Sequence, residues 1–192
     1  MLKEYHPFDS FIPYKCRYLI LGSFPGKEFT QEENNILSYD SWYYGTKSNL
    51  FWKLISDIYN VILITIDNKT NLLNTLKIGI SDIIQSCKRK NNNNSDYNLI
   101  DIDYKKDEII NILLSNPIEK VYFTSIFVER NFSKNIIPIN NTFIQIANKT
   151  IEAYTLFSPS NAANRRRGKP TLTYDMRKAQ YKFLLPVLNN YS

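Results

Sequence analysis

Short apolar runs alternate with longer amphipathic segments along this chain. The run from Arg17 to Gly22 is apolar and ends in glycine, which predicts a buried strand. Similar runs predict strands over 120–124 and 150–157, the second of them broken at Ser158 and Pro159. The pattern therefore predicts buried strands in the first, middle and last parts of the chain.

Between these strands, apolar residues recur at helical spacing. The spacing predicts an amphipathic helix over 50–60, with Ser48 or Asn49 as its N-cap. Further helices are predicted over 71–76, 103–115, 127–135 and 174–188. The last is predicted to bury a side made of Met176, Ala179, Phe183, Leu184 and Val187. Residues 27–39 predict a short helix or a loop, and residues 78–84 predict an apolar connector or a strand.

The alternation of strands with helices of this length favours an α/β domain with a mainly parallel sheet covered on both faces. Such sheets bind ligands outside the carboxyl ends of their strands. Two of the predicted strands end in unusual turns, at 22–26 and at 157–162. The sequence thus predicts a functional site on the rim of the sheet where these two turns meet.

The length of 192 residues fits a single domain. We expect that domain to span residues 1–192. A run of asparagines at 91–94 predicts an exposed polar insertion around 90–97.

Basic residues outnumber acidic ones, 24 against 18, which gives a net charge of +6. A surplus of this size fits either simple solubility or contact with a polyanion. Two basic clusters, at 88–90 and 165–169, are the candidate sites for a polyanion. The second is better placed, because it follows the 157–162 turn directly.

Cysteine and histidine are too few for several kinds of site. Cys16 and Cys87 exclude a disulfide scaffold and a four-cysteine zinc site, and the single His6 excludes a two-histidine metal site. We expect no metal and no cofactor. Residues 1–10 lack the apolar run of a signal peptide, and no stretch approaches the ~18 apolar residues of a membrane span. We expect a soluble, cytoplasmic monomer without membrane contact, nucleoid-associated if bacterial, with a nuclear location left open.

Three short segments are candidates for chemistry. The 22–26 turn lacks the glycine spacing and the lysine of a phosphate-binding loop, so as a bare pattern it is a turn. The aromatic residues at 42–44 precede Gly45, and aromatics in such a loop either pack in the core or stack on a nucleic-acid base. Asn49, taken alone, is a helix cap.

Together these segments resemble the uracil-DNA glycosylase superfamily, and most closely its hypoxanthine-DNA (deoxyinosine) glycosylase branch. Residues 19–26 are similar to a strand ending in Gly-Ser-Phe-Pro, and residues 43–52 to Tyr-Tyr-Gly-His-Pro-Arg-Asn followed by a Phe-Trp helix. Residues 82–90 and 156–162 resemble two later motifs of the branch. The resemblance implies a three-layer αβα sandwich around a mainly parallel four-stranded sheet.

The resemblance also implies a catalytic residue. In the hypoxanthine branch an Asn just before the Phe-Trp helix takes the water-positioning role, and that position is Asn49 here. Other glycosylases of the superfamily carry Asp or Asn within the first motif, where this chain has Phe24. The His-Pro-Arg of the branch is replaced by residues 46–48, which changes the local shape but leaves Asn49 in place.

The implied function is that of a monofunctional DNA-repair glycosylase. Its substrate would be double-stranded DNA with a damaged or mismatched base, from which a deaminated base is flipped out and hydrolysed, hypoxanthine first and uracil second. The residues expected to bind the base are Gly22, Ser23, Phe24, Pro25, Gly26, Tyr44 and Asp82. The residues expected to contact the DNA are Ser158, Pro159, Ser160, Asn161, Arg165, Arg166 and Arg167.

Other functions compete with that of a monofunctional glycosylase. A catalytically silent DNA-binding domain of the same fold is the alternative, which the missing Asp or Asn of the first motif favours. A small-molecule α/β hydrolase is disfavoured, because the chain has one histidine and no nucleophile elbow. A lyase step would need an amine nucleophile, and Lys47, close to Asn49, keeps that reaction open.

Overall fold

Four parallel strands form the centre of the fold. The computed structural model describes residues 1–31, 42–91, 93–164 and 171–188, apart from the side chains of Ala162 and Asn164. The strands in this part of the chain are β1 (Lys3–Tyr5), β2 (Tyr18–Gly22), β3 (Ile78–Asp82), β4 (Ile84–Arg89), β5 (Leu99–Tyr104), β6 (Lys120–Phe123), β7 (Ile139–Asn140), β8 (Phe143–Ile146) and β9 (Lys149–Thr155). The helices are α1 (Lys27–Thr30), α2 (Phe51–Tyr59), α3 (Ile66–Leu76), α4 (Lys106–Ser115), α5 (Ile126–Asn135) and α6 (Tyr174–Leu184).

The large sheet has the strand order β3-β2-β6-β9-β8-β7. Strands β3, β2, β6 and β9 run parallel, and β8 and β7 add an antiparallel edge. The expected mainly parallel sheet is confirmed, but it has six strands instead of the expected four, because the β7–β8 hairpin extends the four parallel strands. The sequence did not predict the β7–β8 hairpin, whose two-residue turn places both Asn141 and Thr142 at positive φ, as a tight hairpin turn requires.

Helices cover both faces of this sheet. In β2 the side chains alternate, so that Leu19 and Leu21 belong to one hydrophobic cluster and Ile20 to the other. The first cluster is completed by α4, α5 and the small sheet described next, and the second by α2, α3 and α6. The fold is therefore the expected three-layer αβα sandwich.

A second, three-stranded sheet has the order β1-β4-β5 and is antiparallel. It continues from the large sheet, because only Ile83 separates β3 from β4. The segment 78–84, for which the sequence left a connector or a strand open, thus belongs to strands of two sheets. The predicted start of a helix at 103 was wrong, because 99–104 forms β5 and α4 begins at Lys106.

Helix α3 is longer than predicted. It begins at Ile66 instead of 71, since Thr65 accepts a hydrogen bond from the Asn68 amide and the Asn68 side chain accepts one from the Thr65 amide. This capping box satisfies main-chain donors that would otherwise lack partners at the helix start. Among the helices that the structure describes, none combines the length and the apolar character that a membrane span requires.

Helix α6 buries a different side from the one that the sequence predicted. Arg177 and Tyr181, four residues apart, are buried, whereas Met176, Phe183 and Val187 are exposed. The Arg177 guanidinium points inward because main-chain carbonyls of the 158–161 loop need hydrogen-bond donors there. Satisfying buried polar groups has outweighed burying apolar side chains at this position.

A buried ion pair joins β1 to β4. Glu4 and Arg89 are 5% and 7% exposed, and Arg89 Nη2 lies 3.1 Å from Glu4 Oε2. Burial alone would raise the pKa of Glu4, but hydrogen bonds from Arg89, Thr30 and Gln31 outweigh it and lower the pKa below the ordinary value of 4.5. The pair therefore stabilises the fold above about pH 4.5, and that contribution is lost as the pH falls through the lowered pKa.

Replacing Glu4 with Gln should destabilise the fold by about 3 kcal/mol at neutral pH, because the Arg89 charge is left buried without a counter-charge. Urea unfolding at pH 7 measures this loss, and the difference from the wild type should shrink as the pH falls below about 4.5. Lys3→Gln is the matched control, since Lys3 forms an exposed pair with Asp103. Equal losses from the two substitutions would contradict the assignment.

Candidate functional site

A cavity of about 850 Å³ opens at the carboxyl ends of the parallel strands. The residues that follow β2, β6 and β9 line it, namely Ser23, Thr124 and Leu156, together with Asp82 at the end of β3. Its volume is that of a ligand site. The structure thus has a cavity at the rim where the sequence predicted a site.

Main-chain hydrogen bonds join the two turns that the sequence singled out. The Leu50 amide donates to the Pro159 carbonyl at 2.8 Å, and the Asn161 amide donates to the Ser48 carbonyl at 3.2 Å. Between these bonds, Asn49 and Ser160 form an isolated antiparallel bridge. The segment before α2 is therefore fixed against the loop that follows β9, more than 100 residues later in the chain.

Asn49 lines the cavity at the start of α2. The helix begins at Phe51, and Asn49 Oδ1 accepts a hydrogen bond from the Phe51 amide at 2.9 Å. The predicted N-cap was one residue away, since Leu50 occupies that position and makes no side-chain cap. The Asn49 oxygen nevertheless satisfies a main-chain donor of the first turn, which fixes the direction of its amide.

Gly22 lies where the first motif approaches Asp82. A methyl group at Gly22 would meet Asp82 Oδ1 at 2.1 Å and Tyr44 Oη at 2.6 Å, so a larger residue cannot fit without moving them. Asp82 is in register with Gly22 across the sheet, and the Ile83 amide donates to the Gly22 carbonyl at 2.9 Å. The motif glycine is thus required by close packing against a carboxylate.

His6 holds Asp82 in place. Its Nε2 lies 2.9 Å from Asp82 Oδ2, and its side chain is fully buried. Nδ1 lies 2.8 Å from the Phe8 carbonyl. The sequence gave no signal for this contact, because His6 and Asp82 lie 76 positions apart. One oxygen of Asp82 is therefore engaged by His6, while the other faces Gly22.

Tyr44 and Phe24 contribute aromatic rings to the lining. Tyr44 has a φ of 57° and packs against Phe51 with 4.3 Å between ring centroids. Its hydroxyl is buried and has no hydrogen-bond partner within the described part of the chain. Burial, and then the nearby Asp82 carboxylate, raise the pKa of Tyr44 well above its ordinary value of 10. The Tyr44 hydroxyl is therefore neutral.

A second carboxyl group, Asp96, lines the same cavity. Its Oδ1 accepts a hydrogen bond from Ser23 Oγ at 2.7 Å. Burial raises the pKa of Asp96 to about 6, and the Asp82 charge adds to the rise, while Ser23 and Arg89 act against it. Asp96 was not among the site residues expected from the sequence.

Of the basic cluster at 88–90, Arg89 is buried inside the fold. Arg89 binds Glu4 and also donates to the Pro25 carbonyl at 3.2 Å, which supports the first motif. Lys88 forms an ion pair with Asp101 at 2.9 Å. Arg89 is therefore not available to a polyanion. The other cluster, with Arg165, Arg166 and Arg167, lies outside the described residues.

Arg177 holds the 158–161 loop in place. Its Nε donates to the Ser158 carbonyl at 2.7 Å and its Nη2 to the Ser160 carbonyl at 3.2 Å. Its Nη1 donates to the Leu172 carbonyl at 3.2 Å. A buried guanidinium that satisfies several carbonyls gives an irregular loop one fixed shape. The sequence placed Arg177 in a helix but not in this role.

The structure therefore brings most of the expected site residues together. Those that line the cavity are Ser23, Phe24, Pro25, Gly26, Tyr44, Asn49, Asp82, Ser158, Pro159 and Ser160. Gly22 and Asn161 are not part of the lining and act through main-chain packing and hydrogen bonds. Among the described residues, no three His, Cys, Asp or Glu side chains are grouped as a metal site.

Replacing Arg177 with Met should cost about 3 kcal/mol of unfolding free energy, because buried carbonyls lose charged donors. It should also speed amide hydrogen exchange at Leu50 and Asn161, whose bonds depend on the shape of the loop. Lys178→Met is the control, since Lys178 is partly exposed and lies 3.9 Å from Asp57. Unchanged exchange at both amides in Arg177→Met would contradict the role given to this residue.

The fold has a counterpart of known structure. A solution NMR structure from Methanosarcina acetivorans, described as a "putative Uracil DNA glycosylase", matches with a TM-score of 0.62 and 18% sequence identity. The match covers 94% of this chain and 96% of that one. No protein-family model matches the sequence, and none of the curated proteins does. At this identity the likeness concerns the fold alone, and the α/β fold expected from the motifs is the fold that this chain shares with that protein.

Proposed function

We propose that this protein is a monofunctional DNA glycosylase that hydrolyses the N-glycosidic bond of a flipped, deaminated base, with hypoxanthine preferred over uracil. The observation that carries the proposal is the main-chain connection between the Asn49 segment and the 158–161 loop at one cavity. An enzyme that acts on an extruded nucleotide needs both a reaction site and a nearby surface that binds the DNA backbone. The fold shared with a protein described as a putative uracil DNA glycosylase agrees with this reaction class.

Asn49 is the proposed catalytic residue. An amide does not act as a base at neutral pH, but its oxygen has two lone pairs. One accepts from the Phe51 amide, and the other is left to orient a water molecule toward C1′ of the sugar. Because the helix amide fixes the oxygen, the water would be held without loss of side-chain freedom during the reaction.

The walls of the cavity would receive the base. Phe24 and Tyr44 supply ring faces for stacking. Main-chain amides of the 23–26 turn would bond the carbonyl oxygen of the base and stabilise the charge that it gains as it leaves. Asp82, held by His6, would accept a hydrogen bond from an N–H on the edge of the base.

Lys47 is exposed and outside the lining, so the geometry favours hydrolysis over a lyase step.

The DNA backbone would lie along the 158–161 loop. Ser158, Ser160 and Asn161 offer hydroxyl and amide donors there, and Arg177 keeps the loop in shape. Arg165, Arg166 and Arg167 follow this loop in the sequence, and we assign them to phosphate contacts. A catalytically silent DNA-binding domain would not need the second carboxyl and the oriented amide in the cavity.

Incubating the protein with oligonucleotides that contain deoxyinosine, deoxyuridine or deoxyxanthosine should give abasic sites, fastest with deoxyinosine. Asn49→Ala should lower the single-turnover rate by about 10² or more. Asn68→Ala is the matched control, because Asn68 is also a helix-capping amide but lies in α3, outside the lining. If no substrate gives an abasic product, the catalytically silent DNA-binding domain is the interpretation that remains. If activity survives Asn49→Ala, the catalytic role of Asn49 is wrong.

Arg166→Ala should weaken DNA binding at every sequence tested and lower the slope of log K against log salt by about 1, as loss of one phosphate contact does. Arg17→Ala is the comparison, since Arg17 precedes β2 at the opposite end of the strand and pairs with Glu119. Fluorescence anisotropy between low and moderate salt measures both slopes. Equal slopes for Arg166→Ala and the wild type would place this cluster away from the DNA.

A further inference from the structure

The cavity contains a carboxyl group, that of Asp96, which the proposed mechanism does not use. Asp96 lines it together with Asp82, and the two come from different parts of the chain. Asp82 ends a strand of the large sheet, whereas Asp96 begins a short 3-10 turn, Asp96–Asn98, after the asparagine run. Two carboxyl groups in one reaction pocket are a common arrangement for acid–base work when their surroundings differ.

The asparagine run fixes the position of Asp96. Asn93 Oδ1 accepts from the Ser95 amide at 3.0 Å and from Asn98 Nδ2 at 2.6 Å. The Lys90 amide donates to the Asn98 carbonyl at 2.8 Å, which attaches the turn to the end of β4. Asn93 is exposed and Asn98 half-buried, and together they act as a scaffold that holds Asp96 against the cavity.

The asparagine run is also bonded to the residues that follow the 22–26 turn. Asn94 Oδ1 accepts from the Lys27 amide at 2.8 Å, and Asn94 Nδ2 donates to the Glu28 carboxylate at 2.9 Å. These contacts cross the cavity rim from the asparagine run to the start of α1. Asp96 is thus held between the end of β4 and the turn that follows β2.

The surroundings of Asp96 favour its neutral form. Its hydrogen-bond partner is the Ser23 hydroxyl, and no salt bridge to Asp96 occurs among the described residues. The charged or titratable groups near it are Asp82, Arg89 and Cys87. Arg89 is already bonded to Glu4 and offsets only part of the rise, and Cys87 is a buried thiol whose pKa burial raises to about 11, so it carries no charge near neutral pH. Burial then dominates and raises the pKa of Asp96 to about 6.

Asp82 is placed differently. One of its oxygens lies 2.9 Å from the buried His6 Nε2, whereas Asp96 has a serine hydroxyl as its partner. The cavity therefore holds two carboxyls with different partners, and Asp96 is the one whose pKa burial raises toward neutral pH. Such a difference between neighbouring carboxyls marks the second as a candidate proton donor.

We propose that Asp96 is the general acid that protonates a departing purine, so that this site distinguishes hypoxanthine from uracil by leaving-group chemistry. This inference rests on the proposed glycosylase function. Hypoxanthine carries an acceptor nitrogen, N7, in its imidazole ring, which can take a proton as the bond to the sugar breaks. Uracil lacks that ring and leaves as an anion with its charge spread over the oxygens, which requires only the N–H donors of the 23–26 turn.

The step balances as an ordinary hydrolysis. The water oxygen oriented by Asn49 forms a bond to C1′ while the bond from C1′ to N9 of the purine breaks, and the electron pair of that bond stays with the purine. The Asp96 proton moves to the purine ring nitrogen, and the carboxylate is reprotonated from solvent. The attacking water releases a proton to solvent, so that one water molecule is consumed and no oxidant or co-reactant is needed.

Single-turnover rates with deoxyinosine and with deoxyuridine, measured between pH 5 and 8.5, test the proposal. For the wild type, the deoxyinosine rate should be level at low pH and fall about tenfold per unit well above pH 6, whereas the deoxyuridine rate should not show this fall. Asp96→Asn should lower the deoxyinosine rate by about 10² or more at pH 6, remove the fall, and change the deoxyuridine rate only severalfold.

Ser23→Ala provides a second readout that a purely structural role would not produce. Removing a hydroxyl that bonds the charged carboxylate raises its pKa, so the midpoint of the deoxyinosine profile should move to higher pH. Binding of Asp96→Asn to DNA with a non-hydrolysable 2′-fluoro-deoxyinosine should stay within a few fold of the wild type. That result shows that the variant folds and recognises the base.

Several results would overturn the proposal. These are a pH fall retained in Asp96→Asn, equal losses with both substrates, or a midpoint that Ser23→Ala leaves unchanged. A wild-type protein that releases uracil but not hypoxanthine would overturn the general acid and the preference for hypoxanthine, but not the glycosylase reaction itself. A wild type that releases no base would overturn both.

Discussion

Parallel hydrogen bonding of β2 to a neighbour on each side is the constraint on which the rest of this structure depends. Because β3, β2 and β6 run in one direction, their carboxyl ends meet at one rim, and residues far apart in sequence share a cavity there. The main-chain bonds between 48–50 and 159–161 then close one side of that cavity. Without the common direction of the strands, Asn49 and the 22–26 turn would have no shared surface.

Two arginines show how a basic protein uses positive charge internally. Arg89 binds Glu4 and the Pro25 carbonyl, and Arg177 binds the carbonyls of Ser158 and Ser160. Each guanidinium lies behind one of the two turns at the cavity and satisfies oxygens that an irregular loop leaves without partners. The net charge of +6 is therefore a poor guide to the surface that meets DNA.

The two carboxyls of the cavity differ because of their partners. Asp82 lies beside a buried histidine, and Asp96 lies beside a serine hydroxyl, with the nearest guanidinium bonded elsewhere. Burial raises the pKa of Asp96 to about 6, because its hydroxyl partner does not offset the loss of hydration. Two carboxyls in one pocket can thus be given different chemical roles by their surroundings.

The sequence by itself determined the α/β class, the parallel strands, the helix after Asn49 and the two turns at the rim, because apolar periodicity and Gly-Pro breaks are local signals. Only the tertiary structure decided which polar groups meet. The contact of His6 with Asp82, the inward side of Arg177 and the scaffold that holds Asp96 all join distant residues. Their sequence signals are those of a terminus, a surface helix and a polar loop, since hydrogen bonding between distant groups leaves no periodic pattern in the chain.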